Sequence, residues 1–379
     1  MQRIIQISLI IFIMSINCSS LLASDVGGDN TASKIKEYVY YAQKAEKSYL
    51  YSESLSWYDK AIALDDNNAA WHLGAARQLI GLERLEDAVE QLHRVIELDS
   101  ANAEAYTMLG VYHQKMVNQF PEAERNYKLA IAAETQYARP RRLLGELLIL
   151  MQRLDDARIV YQELCKIAPD DYHGHFGLGN ALLKLKQYEA AIAELKRSMK
   201  IDPTEPESYR MLGQALAKTG QREESKKALK QYKEKKELKN KLKIALRVVR
   251  RNPTKADNWL RLGGLYMRQR DALKAIKAFE HGLGIEPTRT SIYGYVGMLH
   301  LQLRDYKQAL NSFEKAAELN PKQPEYFNNI GVCQMFLRNY EKAVKAFEKS
   351  IELGNKDPRI NQNLQSAIEK MEQGSEVLK

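Results

Sequence analysis

Hydrophobic and small residues recur along this chain at helical spacing, and the pattern itself recurs. Between positions 256 and 289, Trp259, Leu262, Gly263 and Tyr266 fall three or four apart, Ala275 and Phe279 form a second set, and Pro287 follows. Such spacing predicts two helices joined by a short polar turn. The proline stands just past the second, where a helix cannot continue. The next two segments keep the frame at 34 residues: Gly263, Gly297 and Gly331; Ala275, Ala309 and Ala343; Phe279, Phe313 and Phe347. Earlier copies occupy 35–68, 69–102, 103–137, 138–171, 172–205 and a sixth from 206, with residues such as Tyr106, Gly110, Ala123, Leu144, Gly145, Tyr161, Leu178 and Gly179 in frame. The glycine of the first helix and the alanine of the second are expected where the two helices cross, so that their backbones approach. A helix of about 14 residues is marginal alone in water, so each unit depends on its neighbours.

These residues resemble the tetratricopeptide repeat, whose period and W-x-x-L-G-x-x-Y, A-x-x-x-F, P signature they match. The resemblance implies an all-α fold, a right-handed superhelical solenoid of stacked antiparallel helix pairs. It implies about nine repeats in two blocks, 35–239 and 256–357, plus a C-terminal capping helix with its tail at 358–379. It also implies a concave groove lined by the first helix of each unit, which holds an extended peptide or a partner helix.

Two irregularities break the period. Gly213 and Gly263 are 50 apart rather than 34, so 240–255 reads as an insertion. The stretch 221–251 carries many lysines, Lys226, Lys230, Lys235, Lys239 and Lys243 among them, with no proline until Pro253. It predicts one long basic helix, either a solvated face or a docking surface for an acidic partner or an anionic membrane. At the end, Asp357 can cap a helix with Pro358 at its first position. Ile360, Leu364, Ala367, Ile368 and Met371 then make one apolar stripe that covers the last open face.

The first 24 residues stand outside the repeats: Arg3, an apolar run from Ile4 to Ile16, then small residues. That layout predicts a secretory signal peptide, followed by a flexible tether at 25–34 rich in Gly, Asp, Asn and Ser. Two processing routes stay open. Cys18 followed by Ser19 and Ser20 resembles the acylated cysteine of a bacterial lipoprotein, although Ser15, Ile16 and Asn17 depart from the usual preceding box. Plain cleavage near Ala23 or Ser24 is the other. Either predicts an exported chain, in the periplasm or at the cell surface.

Composition adds little against this picture and removes several alternatives. The 379 residues are 45% hydrophobic and 28% charged, with a net charge of +9, which favours acidic partners or anionic surfaces. Nucleic acid is not expected for an exported chain. Cys165 and Cys333 lie at inward positions five repeats apart, too far for a disulfide, and read as small buried apolar residues. No H-E-x-x-H, G-x-S-x-G or phosphate loop occurs. Gly174, Gly177 and Gly179 imitate a dinucleotide fingerprint but follow no strand. His173 and His175 are two apart on a helix, facing different ways, where ligand pairs need three or four. No enzyme activity, cofactor or metal is expected.

The expected function is therefore a non-catalytic protein–protein interaction scaffold of the cell envelope, or alternatively a membrane-tethered structural lipoprotein acting in complex assembly. Groove-facing offsets in repeats four to six give Arg139, Arg142, His173, Phe176, Asn180, Lys184, Arg210, Gln214 and Lys218, a basic, hydrogen-bonding face suited to an acidic segment. In repeats seven to nine they give Tyr295, Met298, Leu301, Asn328, Asn329, Met335 and Phe336, a softer apolar face. None carries the Lys and Asn of the carboxylate clamp known in the family, so that chemistry is not expected. Tyr38, Tyr40, Tyr41, Tyr49, Tyr51, Trp57 and Tyr58 concentrate aromatic surface in the first repeat.

Overall fold

A computed structural model describes residues 30–376; the expected signal segment, Cys18 and residues 25–29 of the expected tether lie outside them. The described residues form helices and no strand. The chain divides into two compact units, Met1–Glu194 and Leu195–Lys379. The first contains α1 (Asn30–Lys47), α2 (Tyr51–Leu64), α3 (Ala69–Gly81), α4 (Leu85–Leu98), α5 (Ala103–Lys115), α6 (Phe120–Ala133), α7 (Ala138–Leu150), α8 (Leu154–Ile167) and α9 (Tyr172–Lys184). The unit boundary falls inside α10 (Tyr188–Ile201). The second contains α11 (Pro206–Lys218), α12 (Arg222–Arg251), α13 (Ala256–Gln269), α14 (Ala272–Ile285), α15 (Thr290–Gln302), α16 (Tyr306–Leu319), α17 (Pro324–Phe336), α18 (Tyr340–Glu352) and α19 (Arg359–Glu376).

Each unit is a helical solenoid in which consecutive helices pack in pairs, α5 on α6 and α14 on α13 for example. In the first unit α5 also touches α7, and α7 touches α9, so first helices of successive repeats lie side by side.

The turn inside each repeat is one residue in the left-handed region. Glu83, Gln152 and Lys186 take it in the first unit, and Gly220, Arg270, Arg304 and Arg338 in the second. Around Gln152 its amide donates to Ile149 and the Arg153 amide donates to Leu148, satisfying carbonyls that the end of α7 leaves open. Turns between repeats are held differently. A polar tip on the first helix donates to a carbonyl six residues back: Tyr106 to Ser100 (3.2 Å), Tyr209 to Pro203 (3.1 Å) and Trp259 to Pro253 (2.8 Å). His72 and His175 do the same through Nε2, to Asp66 and Pro169. The signature position of Trp259 is thus a hydrogen-bond donor as well as a packing residue.

The repeat glycine serves a purpose other than the expected approach of backbones. A Cβ on Gly263 would stand 2.5 Å from the Phe279 ring, on Gly297 2.8 Å from Phe313, and on Gly331 2.5 Å from Phe347. Gly110 and Gly145 stand in the same relation to Tyr127 and Tyr161. The glycine is the seat of its own repeat's aromatic ring, and those rings are almost wholly buried.

At the amino end, helix α1 starts at Asn30, so 30–34 open a helix rather than extend a tether. No breaker interrupts Asn30–Lys47, and Ala42 and Ala45 bury its inner face. The long basic helix is continuous, Arg222–Arg251, and its second half buries Leu242, Ala245 and Val249 against Leu262 and Ala278. The carboxyl-terminal helix closes the end of its unit: Ile360 and Ala367 join Ala343 and Phe347 in one core. Asp357 Oδ1 accepts from the Arg359 amide at 3.0 Å, and Arg359 holds the Asp357 carboxyl well below its ordinary range, at about 2.

Candidate interaction surfaces

In the first unit the expected groove residues sit on adjacent first helices. Arg139 and Arg142 are on α7, and His173, Phe176, Asn180 and Lys184 on α9. Arg139 and Lys184 are exposed and the other four half-buried. Arg142 lies 3.7 Å from Glu146 one turn on, and the His173 ring lies against Tyr172 with centroids 3.9 Å apart and planes tilted by 31°. Along the same kind of face, Arg77 on α3 reaches Glu104 on α5 through two bonds of 3.0 and 2.6 Å. That bidentate pair ties neighbouring first helices together.

In the second unit Arg210 is engaged by Glu207 on its own helix, while Gln214 and Lys218 stand exposed on α11. Tyr295 and Met298 are exposed on α15, with Leu301 half-buried. Phe336 on α17 is 60% exposed and stacks in parallel on Tyr306 at 4.4 Å. Asn328 and Asn329 are half-buried, and Met335 packs against the core beneath α19.

Sequence reasoning missed a basic cavity of about 840 Å³ in the second unit. Lys235 and Lys239 line it from α12, Arg268 from the end of α13, Arg270 from the turn that follows and Lys274 from the start of α14. Two of these cations are already answered: Lys239 by Glu205 at 2.8 Å and Lys274 by Asp271 at 2.8 Å. Among the described residues Lys235, Arg268 and Arg270 form no ion pair. Burial, and then the Arg270 charge, push the Lys235 ammonium below its ordinary value, while its Nζ lies 4.8 Å from the Tyr209 ring. The charge run was legible, but the facing turn stands about 30 residues away in sequence and gives no local signal.

A second missed cluster is polar. Cys165 of α8, His175 of α9 and Glu194 of α10 bring a sulfur, a ring nitrogen and a carboxylate oxygen within 4.8 Å of one another. Cys165 is half-buried and faces His175, so it is more than an apolar filler. Cys333 is buried, and that burial pushes its thiol up to about 12, as suits a packing residue.

Family models described as "TPR repeat" and "Tetratricopeptide repeat" match this sequence. The first spans 179–220; one of the second kind spans 117–172 and 297–358, and another 206–236 and 256–289. Between them they cover more than half of the chain. The chain belongs to the tetratricopeptide repeat family. Tetratricopeptide arrays are scaffolds for protein interaction, and the two helical units are such a scaffold. No curated protein matches the sequence. Similar solved structures include "MamA AMB-1", 20% identical over 45% of this chain and 92% of that one, with a TM-score of 0.39. MamA from Desulfovibrio magneticus RS-1 is 21% identical over 49% of this chain and 96% of that one, at 0.33. The P58(IPK) TPR domain is 16% identical over 90% of this chain and 99% of that one, at 0.29. Among the described residues no helix is long and apolar enough to cross a membrane.

Proposed function

We propose that this tetratricopeptide protein is a non-catalytic scaffold of the cell envelope that holds an acidic segment of a partner protein. The observation that carries the reading is the basic cavity beside α12. Its volume is about 840 Å³, and three of its five cations lack a carboxylate partner among the described residues. Such a site attracts a chain of Asp and Glu side chains, and arginine can grip a carboxylate through two bonds. The exposed arginine and lysine of α7 and α9 favour the same class of partner. Export rests on the apolar run from Ile4 to Ile16, and a lipid at Cys18 is the form it takes if the chain is tethered.

Crosslinking the full-length chain in cells and recovering its partners from the envelope fraction tests this directly. Triple reversal of Lys235, Arg268 and Arg270 to Glu is expected to abolish recovery. Reversal of Arg139, Arg142 and Arg210 to Glu is expected to weaken it. Undiminished recovery with the first variant would remove the cavity as the docking site. A chain found in the cytosol with its first 24 residues intact would remove the envelope assignment.

A further inference from the structure

Two histidines occupy equivalent places in the first unit, and what surrounds them differs. Helices α2, α3 and α4 correspond end for end to α8, α9 and α10 with an offset of 103 residues. His72 and His175 are equivalent, and each gives its Nε2 proton to a carbonyl six residues back, Asp66 at 3.0 Å and Pro169 at 3.1 Å. A carbonyl oxygen only accepts, so this bond assigns the proton to Nε2 and leaves Nδ1 to face the neighbouring helix.

Beside His72 that nitrogen meets Oε1 of Gln91 at 2.7 Å, and the same amide turned over presents NH2 to a neutral ring, which a carboxylate never can. The position equivalent to Cys165 is Ile62, and the one equivalent to Gly174 is Trp71. Asp66 Oδ1 also lies 3.1 Å from the His72 Nε2, so its carboxylate meets the protonated nitrogen and leaves Nδ1 facing only the amide. Beside His175 all three neighbours change. Glu194 Oε2 lies 2.6 Å from Nδ1 and Cys165 Sγ lies 3.6 Å from the same atom. Gly174 stands where the tryptophan was, and a Cβ there would sit 3.2 Å from Cys165 Sγ. An ionised carboxylate offers only lone pairs, so a neutral Nδ1 and Glu194 need a positive species between them, a proton or a cation.

We propose that Cys165, His175 and Glu194 form a site for a zinc-class divalent cation. Thiolate, imidazole and carboxylate are the donor set such ions take, and thiolate disfavours magnesium and calcium. In a tetrahedral zinc site neighbouring donors stand about 3.3–3.8 Å apart. The Sγ to Nδ1 distance of 3.6 Å already fits; Glu194 has to draw back from Nδ1 and close on the sulfur, within the 4.8 Å that now spans the three atoms. Pro169 supplies the outer bond that fixes the ring of a ligating histidine. Binding displaces the Cys165 thiol proton, and the Nδ1 proton where the ring carries one, to solvent. The cation's two charges are then matched by the thiolate and carboxylate. Partial exposure of Cys165 and Glu194 leaves room for water as the fourth ligand. The same geometry argues against a cysteine–histidine–carboxylate relay. Sulfur and carboxylate converge on one nitrogen, whereas a relay needs them on opposite ones.

The test titrates the reduced full-length protein with Co2+ as a spectroscopic probe and displaces it with Zn2+. The expected result is one equivalent bound, with a thiolate-to-cobalt charge-transfer band and the strong visible bands of a four-coordinate ion. Cys165→Ile should abolish the charge-transfer band, and Glu194→Gln should weaken binding by more than the about 10–100-fold that loss of an outer-shell partner costs. Both variants copy the surroundings of His72, so helix content should hold, and circular dichroism checks that it does. Absence of the band in the folded wild-type protein would overturn the proposal. So would Co2+ binding that both variants leave unchanged, which would place the ion elsewhere.

Discussion

Where a ring sits over the repeat glycine it is tyrosine in the first unit and phenylalanine in the second, while Leu229 covers Gly213. Tyr127 and Tyr161 fill the slot there, and Phe279, Phe313 and Phe347 fill it here. Both kinds of ring are almost wholly buried, so these slots take aromatic volume in either case. The difference is what the hydroxyl must then find. Tyr127 donates to Gln114 at 2.7 Å and Tyr161 to the Arg142 carbonyl at 3.4 Å, so each slot in the first unit carries a polar exit. Burial pushes both phenols well above their ordinary range, which keeps them neutral donors. The rings of the second unit carry no hydroxyl, so they make no such bond. A repeat slot therefore specifies shape before polarity, and neighbours decide whether an oxygen can be added.

Several substitutions would break or sharpen that comparison. The largest effect is expected from removing the ring: Phe313→Ala should cost about 3–5 kcal/mol by urea denaturation. Filling its seat with Gly297→Ala should cost less, about 1–3 kcal/mol, because the ring can shift. Loss should centre on the helices around that repeat, as hydrogen exchange can map, since repeat arrays are stabilised by nearest neighbours. If Gly297→Ala left stability unchanged, the seat would have no energetic meaning.

Exchanging the hydroxyl is the sharper probe. Phe313→Tyr should cost about 1 kcal/mol or less, because His300 stands 13 residues before it, as Gln114 stands before Tyr127, and the buried Nδ1 of His300 has no hydrogen bond. Tyr127→Phe should cost about 1 kcal/mol, the worth of the Gln114 bond with its glutamine left partly wet. A much larger cost for either exchange would show that polarity, and not shape, governs the slot. The smallest effect belongs to the turns. Arg304 holds φ at 60°, and Arg304→Gly should raise stability by about 0.5 kcal/mol, where relief of left-handed strain slightly exceeds the added chain entropy.

The helices, their pairing and the closing helix were all legible from residue spacing. Gly263, Ala275 and Phe279 announce one repeat, and Ile360 and Ala367 announce the cap, because helix burial has a period that survives in sequence. The role of the glycine was misread, since spacing shows that a small residue recurs but not which group fills the room beside it. The surfaces were legible only in part. Arg139, Arg142 and Lys184 could be placed on first helices by offset. Arg268 and Arg270 could not be placed opposite Lys235, because the helix end and turn that carry them are aligned by packing of α12 on α13.

The histidine cluster marks the same limit more sharply. Cys165, His175 and Glu194 are 10 and 19 residues apart, spacings that match no helical face. Considered along one helix, His175 pairs with His173 and leads nowhere. Its neighbours come from the helix before and the helix after, and Pro169 turns the ring toward them. The sequence alone determined period, helix count and which face of each helix is buried, because those depend on interactions within a few turns. Only the tertiary structure decided what meets across helices: rings on glycines, a turn facing a lysine row, a sulfur and a carboxylate around one nitrogen. Those meetings depend on how repeats stack, and stacking is set by the summed shapes of many side chains, which no single spacing records.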